Sequence, residues 1–424
     1  MSAAPSVSSP SAAATPTAGE PLLAIAQRRL LGNYRQAPFV LDRGRGCEAF
    51  DTEGRRYLDF AAGVAVDALG HAHPALVQAL AEQAGRLMHV SNYFYNAENI
   101  RLADELCHKT GFDRAFFCNS GAEANEAMLK LARRHFYGRG QGGKVRLIAF
   151  HNSFHGRTMG SVALTGTPKY HEGFGPMVGA ITHVAYGDLA AARQVMGPDV
   201  AGIFVEPIQG EGGVMPAPPG YLAGLRALAD EHGALLLIDE VQTGVGRTGR
   251  WLGAEHDGVR ADAIALAKGL GGGFPIGAML VREEVAGALP PGTHGSTFGG
   301  NALASVAART VLRVLDEEKL VEGARIKGER LGEGLAEIAA RHPAVCGPER
   351  GRGLLRALPL ADGIDARPVL GAFQRRGLLL TIAGGSALRF TPPLVVSEAE
   401  IDEAVALVAG VIADLAAERT GAAS

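Results

Sequence analysis

Three short stretches place reactive side chains where an apolar run gives way to a turn. Residues 263–267 read as a buried strand that Lys268 closes, facing the glycine-rich turn Gly269, Leu270, Gly271, Gly272, Gly273. The chain holds seven lysines, and most of the others stand in helical or loop contexts that read as surface. Burial lowers a lysine's pKa and frees its amine to attack carbonyl carbon. Residues 234–238 form a second apolar run, followed by Asp239. A carboxylate at that point is costly unless it meets a cation or several donors. A structural salt bridge would serve, and so would a protonated pyridine nitrogen. Arg114–Cys118 is a third run, after which Asn119, Ser120, Gly121 and Ala122 open a helical pattern. Such a turn offers free N–H groups and the positive helix end to an anion. Alone, it could equally be an ordinary helix cap.

Together, and in this order, an anion turn, a carboxylate and a lysine are the protein parts that a pyridoxal phosphate site requires. Two other patterns carry less. Gly244, Gly246 and Gly249 match the GxGxxG spacing of dinucleotide sites, but the segment after them is too short and glycine-broken for the helix such a site needs. The pairs His71/His73 and His151/His155 lack a third ligand at matching spacing, so no metal site is expected.

These residues need a scaffold. Apolar runs alternating with amphipathic helices predict a mostly parallel sheet covered on both faces. The expected strands are Arg114–Cys118 and residues 145–150, 202–205, 234–238 and 263–267. Ahead of them come an amphipathic stretch at 22–31, strands at 39–42, 47–51 and 56–60, and a helix at 74–87. A long helical stretch after about residue 302 leads to strands near 353–358 and 378–381. The 424 residues exceed one core, so several parts are expected: a disordered tail at 1–18, an N-terminal segment at 19–70, a large domain at 71–310 and a C-terminal α+β part at 311–418. A net charge of −3 disfavours nucleic acid, and no apolar run is long enough to span a membrane. Four cysteines without paired spacing fit a reducing, cytoplasmic setting.

The chain also resembles a known family. Residues 119–125, 149–158, 205–213, 239–242 and 294–301 are similar to the motifs of class III (ω-amino acid) aminotransferases of pyridoxal phosphate fold type I. Within that group they look like acetylornithine aminotransferases, over about residues 33–408. The resemblance implies an α/β fold whose large domain holds a mostly parallel seven-stranded sheet, with smaller α+β N- and C-terminal parts. It implies that Lys268 bonds the cofactor, Asp239 keeps its ring nitrogen protonated, Gln242 meets the ring hydroxyl and Phe154 stacks on the ring. Ser120, Gly121 and Ala122 would cradle the phosphate, and Thr297 would reach the phosphate of a neighbouring subunit in a homodimer with shared active sites. Arg157 and Ser296 would bind substrate. Glu211 would mask Arg389 while an amine donor is bound and release it for the α-carboxylate of glutamate. The implied reaction moves the amino group of N²-acetylornithine to 2-oxoglutarate, giving N-acetylglutamate 5-semialdehyde and glutamate, a step of arginine biosynthesis. Succinylornithine, ornithine, 4-aminobutyrate and acetyl-lysine are alternative donors on the same fold, and a non-catalytic binding protein is a remote alternative. Ala122 and Phe298 stand where the family often has threonine and tyrosine. Val64 replaces the tyrosine of ornithine aminotransferases.

Overall fold

The computed structural model describes residues 21–421, so the expected tail at 1–18 lies outside the described residues. Its largest sheet has seven strands: β1 (Arg114–Cys118), β2 (Arg146–Phe150), β3 (Ile181–Val184), β4 (Val200–Val205), β5 (Leu235–Asp239), β6 (Ala263–Leu266) and β7 (Gly277–Val281). They lie in the order β1-β7-β6-β5-β4-β2-β3. All run parallel except β7, which is antiparallel to β6 and β1. The seven-stranded, mostly parallel sheet is therefore present.

Two of its strands were not among those expected. The stretch Ile181–Val184 is short and carries Thr182 and His183. In β7, Gly277, Ala278 and Met279 lack the β-branched side chains that mark a strand. Arg114–Cys118 stands where it was expected, and the other four strands moved by a residue or two at their ends. The helix expected at 74–87 stops at Ala84, where Gly85 continues only as a cap.

Burial on both faces explains the continuous apolar runs. Along β5, Leu236 and Ile238 join one core cluster, while Leu235 and Leu237 join another that includes Ala124, Met128 and Leu131 of the helix Gly121–Tyr137. Alternation along the strand then turns Asp239 toward that helix. This is the first link between the pattern of the chain and the site.

Smaller sheets flank the large one. Strands Leu41–Arg45, Glu48–Asp51 and Arg56–Asp59 form an antiparallel unit, which Leu378–Leu379 joins by pairing parallel to Arg56–Asp59. The strand expected at 378–381 is divided. Its continuation, Thr381–Ala383, pairs instead with Ala387–Phe390 in a sheet that also holds Arg350–Arg352 and Leu355–Pro359. Gly244–Gly249 is a turn without a following α-helix, as its context suggested. Within it, buried Arg247 donates to the carbonyls of Leu354 and Pro392, at 3.1 and 2.5 Å. The glycines that mimic a dinucleotide motif thus belong to a clamp between the large sheet and the C-terminal part. Among the described residues the four cysteines are free, and no helix is long and apolar enough to cross a membrane.

Candidate active site

A cavity of about 440 Å³ opens beyond the carboxyl ends of the parallel strands. Five of the six parallel strand ends contribute to it, β3 being the exception. Asn119–Ala122 follow β1, Phe154–Arg157 follow β2, Glu206 and Glu211 follow β4, Asp239–Gln242 follow β5, and Lys268 follows β6.

Lys268 sits in left-handed backbone (φ 46°), an uncommon conformation for a side chain–bearing residue. Part of its side chain remains open to the cavity. Burial is the main force on its amine and pushes it down to about 8, although Glu211 pulls the other way. A neutral amine is accordingly within reach near physiological pH.

Asp239 is 4% exposed, and its carboxylate is held on every side. Oδ2 accepts from Asn125 Nδ2 at 2.7 Å and from His155 Nδ1 at 2.8 Å, and Oδ1 accepts from the Val241 N–H at 2.9 Å. His155 Nε2 has no partner among the described residues, and its ring meets the Phe204 ring edge-on. His155, weighed in the sequence only as half of a histidine pair, hydrogen-bonds the site itself. Asn125 and Glu206 went unassigned in the sequence, although both stand inside the quoted motifs. Only the path of the chain brings Asn125, 114 positions away, to Asp239. Burial, and then the neighbouring Asp239, hold Glu206 well above the usual carboxyl range.

Ser120 caps the helix Gly121–Tyr137, its hydroxyl accepting from the Glu123 N–H at 3.2 Å. That hydroxyl also donates to Glu123 Oε2 at 3.0 Å, so it is already engaged. The N–H groups of Gly121 and Ala122 make no hydrogen bond among the described residues. They are the orphan donors of a helix start. A Cβ at Gly121 would stand 2.7 Å from Val241 Cγ1, so only glycine lets the helix approach this closely.

Arg157 is exposed at the cavity, its guanidinium 3.9 Å from the Tyr170 ring centroid and 5.4 Å from that of Phe154. It has no ion pair among the described residues. Arg389 is 2% exposed and pairs with Glu211. Its Nε donates to Thr381 Oγ1 at 3.0 Å, and Nη1 also reaches Gln242 Oε1 at 3.4 Å. Burial pushes Glu211 up, but Arg389 and then Lys268 outweigh it and leave the carboxyl below its usual range.

The structure thus brings Lys268, Asp239, Ser120, Gly121, Ala122, Phe154, Gln242, Arg157 and Glu211 to one cavity, with Arg389 directly behind Glu211. Thr297 and Ser296 do not line it. Thr297 is exposed, and Ser296 Oγ accepts from the Gly299 N–H at 3.0 Å. Val64 is absent from the lining too, whereas Val66 is part of it. Among the described residues, Asp59, Asp67 and His71 form the one cluster with metal-like spacing. Asp59 Oδ1 is occupied there by the N–H groups of Ala61 and Ala62, at 2.9 and 2.8 Å.

A lysine with a depressed pKa, a donor-held carboxylate and two unpaired helix-start N–H groups fit pyridoxal phosphate at its aldehyde, ring nitrogen and phosphate. Fold and site therefore define a pyridoxal phosphate enzyme. The chain belongs to the class-III aminotransferase family, whose pattern it matches over residues 31–412. It is 49% identical to acetylornithine aminotransferase of Myxococcus xanthus, covering 94% of this chain and 98% of that protein. It is 47% identical to a succinylornithine transaminase/acetylornithine aminotransferase of Pseudomonas aeruginosa, over 89% and 93% of the two chains. Its fold is similar to that of the ornithine aminotransferase of Toxoplasma gondii, in which pyridoxal phosphate partly occupies the active site. The TM-score is 0.91 at 36% identity, covering 94% of this chain and 95% of that one.

Proposed function

We propose that this aminotransferase transfers the side-chain amino group of N²-acetylornithine to 2-oxoglutarate, releasing N-acetylglutamate 5-semialdehyde and glutamate. The observation that carries the reading is the pairing of an uncovered Arg157 with a covered Arg389 at one cavity. A donor with a terminal amine presents its carboxylate to Arg157 and needs Arg389 neutralised by Glu211. Glutamate presents a second carboxylate, which takes Arg389 once Glu211 turns away. The similarity to acetylornithine aminotransferases supports this choice of donor, and the Pseudomonas relative's double name favours succinylornithine as the second reading.

Pyridoxal phosphate supplies the electron sink that stabilises a carbanion on the substrate. Lys268 Nζ would hold the cofactor and, as a free amine, would carry the proton taken from the substrate carbon. Such a positioned base contributes about 10²–10⁴-fold. Asp239, which accepts hydrogen bonds from Asn125, His155 and the Val241 N–H, would hold a proton on the ring nitrogen. Gly121 and Ala122 would hold the phosphate with backbone N–H groups, and Phe154 would flank the ring. Thr297, outside the cavity of its own chain, serves the neighbouring subunit of a homodimer. Exposed Tyr93, Phe94, Tyr95 and Phe298 supply the aromatic surface that such a partner would cover. A cytoplasmic biosynthetic role belongs to the same reading.

The test is the visible spectrum of the purified, cofactor-loaded enzyme, mixed with one donor at a time and no 2-oxoglutarate. Bleaching of the yellow band is expected fastest with N²-acetylornithine, ahead of succinylornithine, ornithine and 4-aminobutyrate. Bleaching by α-amino acids alone would remove the ω-amine reading.

A further inference from the structure

Glu211 lies in a loop closed by the short antiparallel strands Ile208–Gln209 and Met215–Pro216. The flanks of this loop do not pack as part of the large sheet. Ile208 and Val214 share a small core with Leu355, Ala357 and Ala387, three residues of the C-terminal sheet. Two hydrogen bonds fasten the loop backbone to the same C-terminal part. The Gly384 N–H donates to the Glu211 carbonyl at 2.8 Å, and Arg350 Nε donates to the Gly213 carbonyl at 2.8 Å. Arg389, the ion-pair partner of Glu211, belongs to that sheet as well.

Arg350 stands out within this group. It has no carboxylate partner among the described residues, and burial pushes its guanidinium down from the ordinary arginine range. A half-buried cation without a counter-ion is costly, so its place needs a reason. It lies close against Gly213, where a Cβ would come within 2.8 Å of Nη2.

Resting on the switch proposed for Glu211 and Arg389, we propose that Arg350 is a positioning residue that ties the Glu211 loop to the sheet bearing Arg389. Loop and arginine then move as one body, and Glu211 uncovers Arg389 by side-chain rotation alone. Loosening the loop would leave Arg389 unmasked more of the time. That penalises an amine donor, which needs the mask, and spares glutamate, which needs it removed.

The experiment compares wild type with Arg350→Met, Arg350→Lys and Gly384→Ala in single-turnover half-reactions, one with the ω-amine that wild type accepts and one with glutamate. Arg350→Met is expected to slow the ω-amine half-reaction about tenfold, in line with losing one charge-assisted hydrogen bond. The glutamate half-reaction should stay within about twofold. Arg350→Lys keeps a donor and should recover much of the loss. Gly384→Ala, whose Cβ would stand 2.9 Å from the Gly212 carbonyl oxygen, should disturb the same loop and shift the ratio in the same direction. Hydrogen exchange of the 210–214 amides in the cofactor-free protein should accelerate in Arg350→Met. Equal loss in both half-reactions, no loss in either, or unchanged exchange at 210–214 overturns the proposal. Glu211→Gln in the same assay separates the two ideas. If it leaves the ratio unchanged, the switch itself is wrong. If it moves the ratio and Arg350→Met does not, only the role of Arg350 fails.

Discussion

At the scale of single residues, Lys268 carries a cost that pH reveals. In the unfolded chain its amine titrates near the ordinary lysine value of 10.5, and in the folded, cofactor-free protein near 8. Between those values the unfolded chain holds a proton that the folded chain does not, so stability rises with pH across that window. Below about pH 8 both states are protonated and the burial cost is present in full, roughly 3 kcal/mol at 1.36 kcal/mol per pKa unit. Denaturant melts of cofactor-free wild type from pH 7.5 to 10.5 should show this rise, and Lys268→Met should flatten it. An identical slope in the variant would assign the effect to another group. Lysine at this point was visible in the sequence because it ends an apolar run. The donors behind Asp239 were not, since neither Asn125 nor His155 is distinctive until the chain folds them onto one oxygen.

At the scale of elements, the helix Gly121–Tyr137 does two jobs. Its start presents the Gly121 and Ala122 N–H groups to the cavity, and its buried face covers β5 and supplies Asn125. Both depend on close approach at Gly121, where an added methyl would meet both Val241 methyls, at 2.7 and 2.8 Å. Gly121→Ala should therefore destabilise the protein by about 1–3 kcal/mol through overpacking. It should also weaken pyridoxal phosphate binding, because the N–H pair shifts with the helix end. Thermal melts and a cofactor titration would register both effects. A variant with wild-type affinity would show that the cradle does not rely on this contact. The serine and glycine of the turn marked the helix start in the sequence. The engagement of the Ser120 hydroxyl by Glu123 appeared only in the folded geometry.

At the scale of the whole molecule, the site is incomplete within one chain if Thr297 takes part, because exposed Thr297 does not line its own cavity. Tyr93 and Tyr95 are each 93% exposed, a poor arrangement for a surface meant to stay in water. On the proposed homodimer, Phe94→Asp combined with Phe298→Asp should shift sedimentation from dimer to monomer and cut transamination, with activity returning as protein concentration rises. Full activity of a monomer would exclude a shared site. The bipartite ties of the C-terminal part belong to this scale too. Residues 378–383 serve two sheets in turn, and Arg247 reaches Leu354 and Pro392 from the large sheet.

Local information sufficed for five of the seven sheet-forming runs, the helix start, the lysine and carboxylate at strand ends, and thereby the class of cofactor. Each of these is written in consecutive residues, because apolar period, capping and strand termination act over short range. The tertiary structure alone decided that β7 runs antiparallel and that His155 and Asn125 stand behind Asp239, while the contact of Glu211 with Arg389, 178 positions away, was expected only through the family resemblance. Those are pairings between distant segments. Their energies depend on burial and on donor–acceptor distance, which no stretch of sequence encodes before the chain closes on itself.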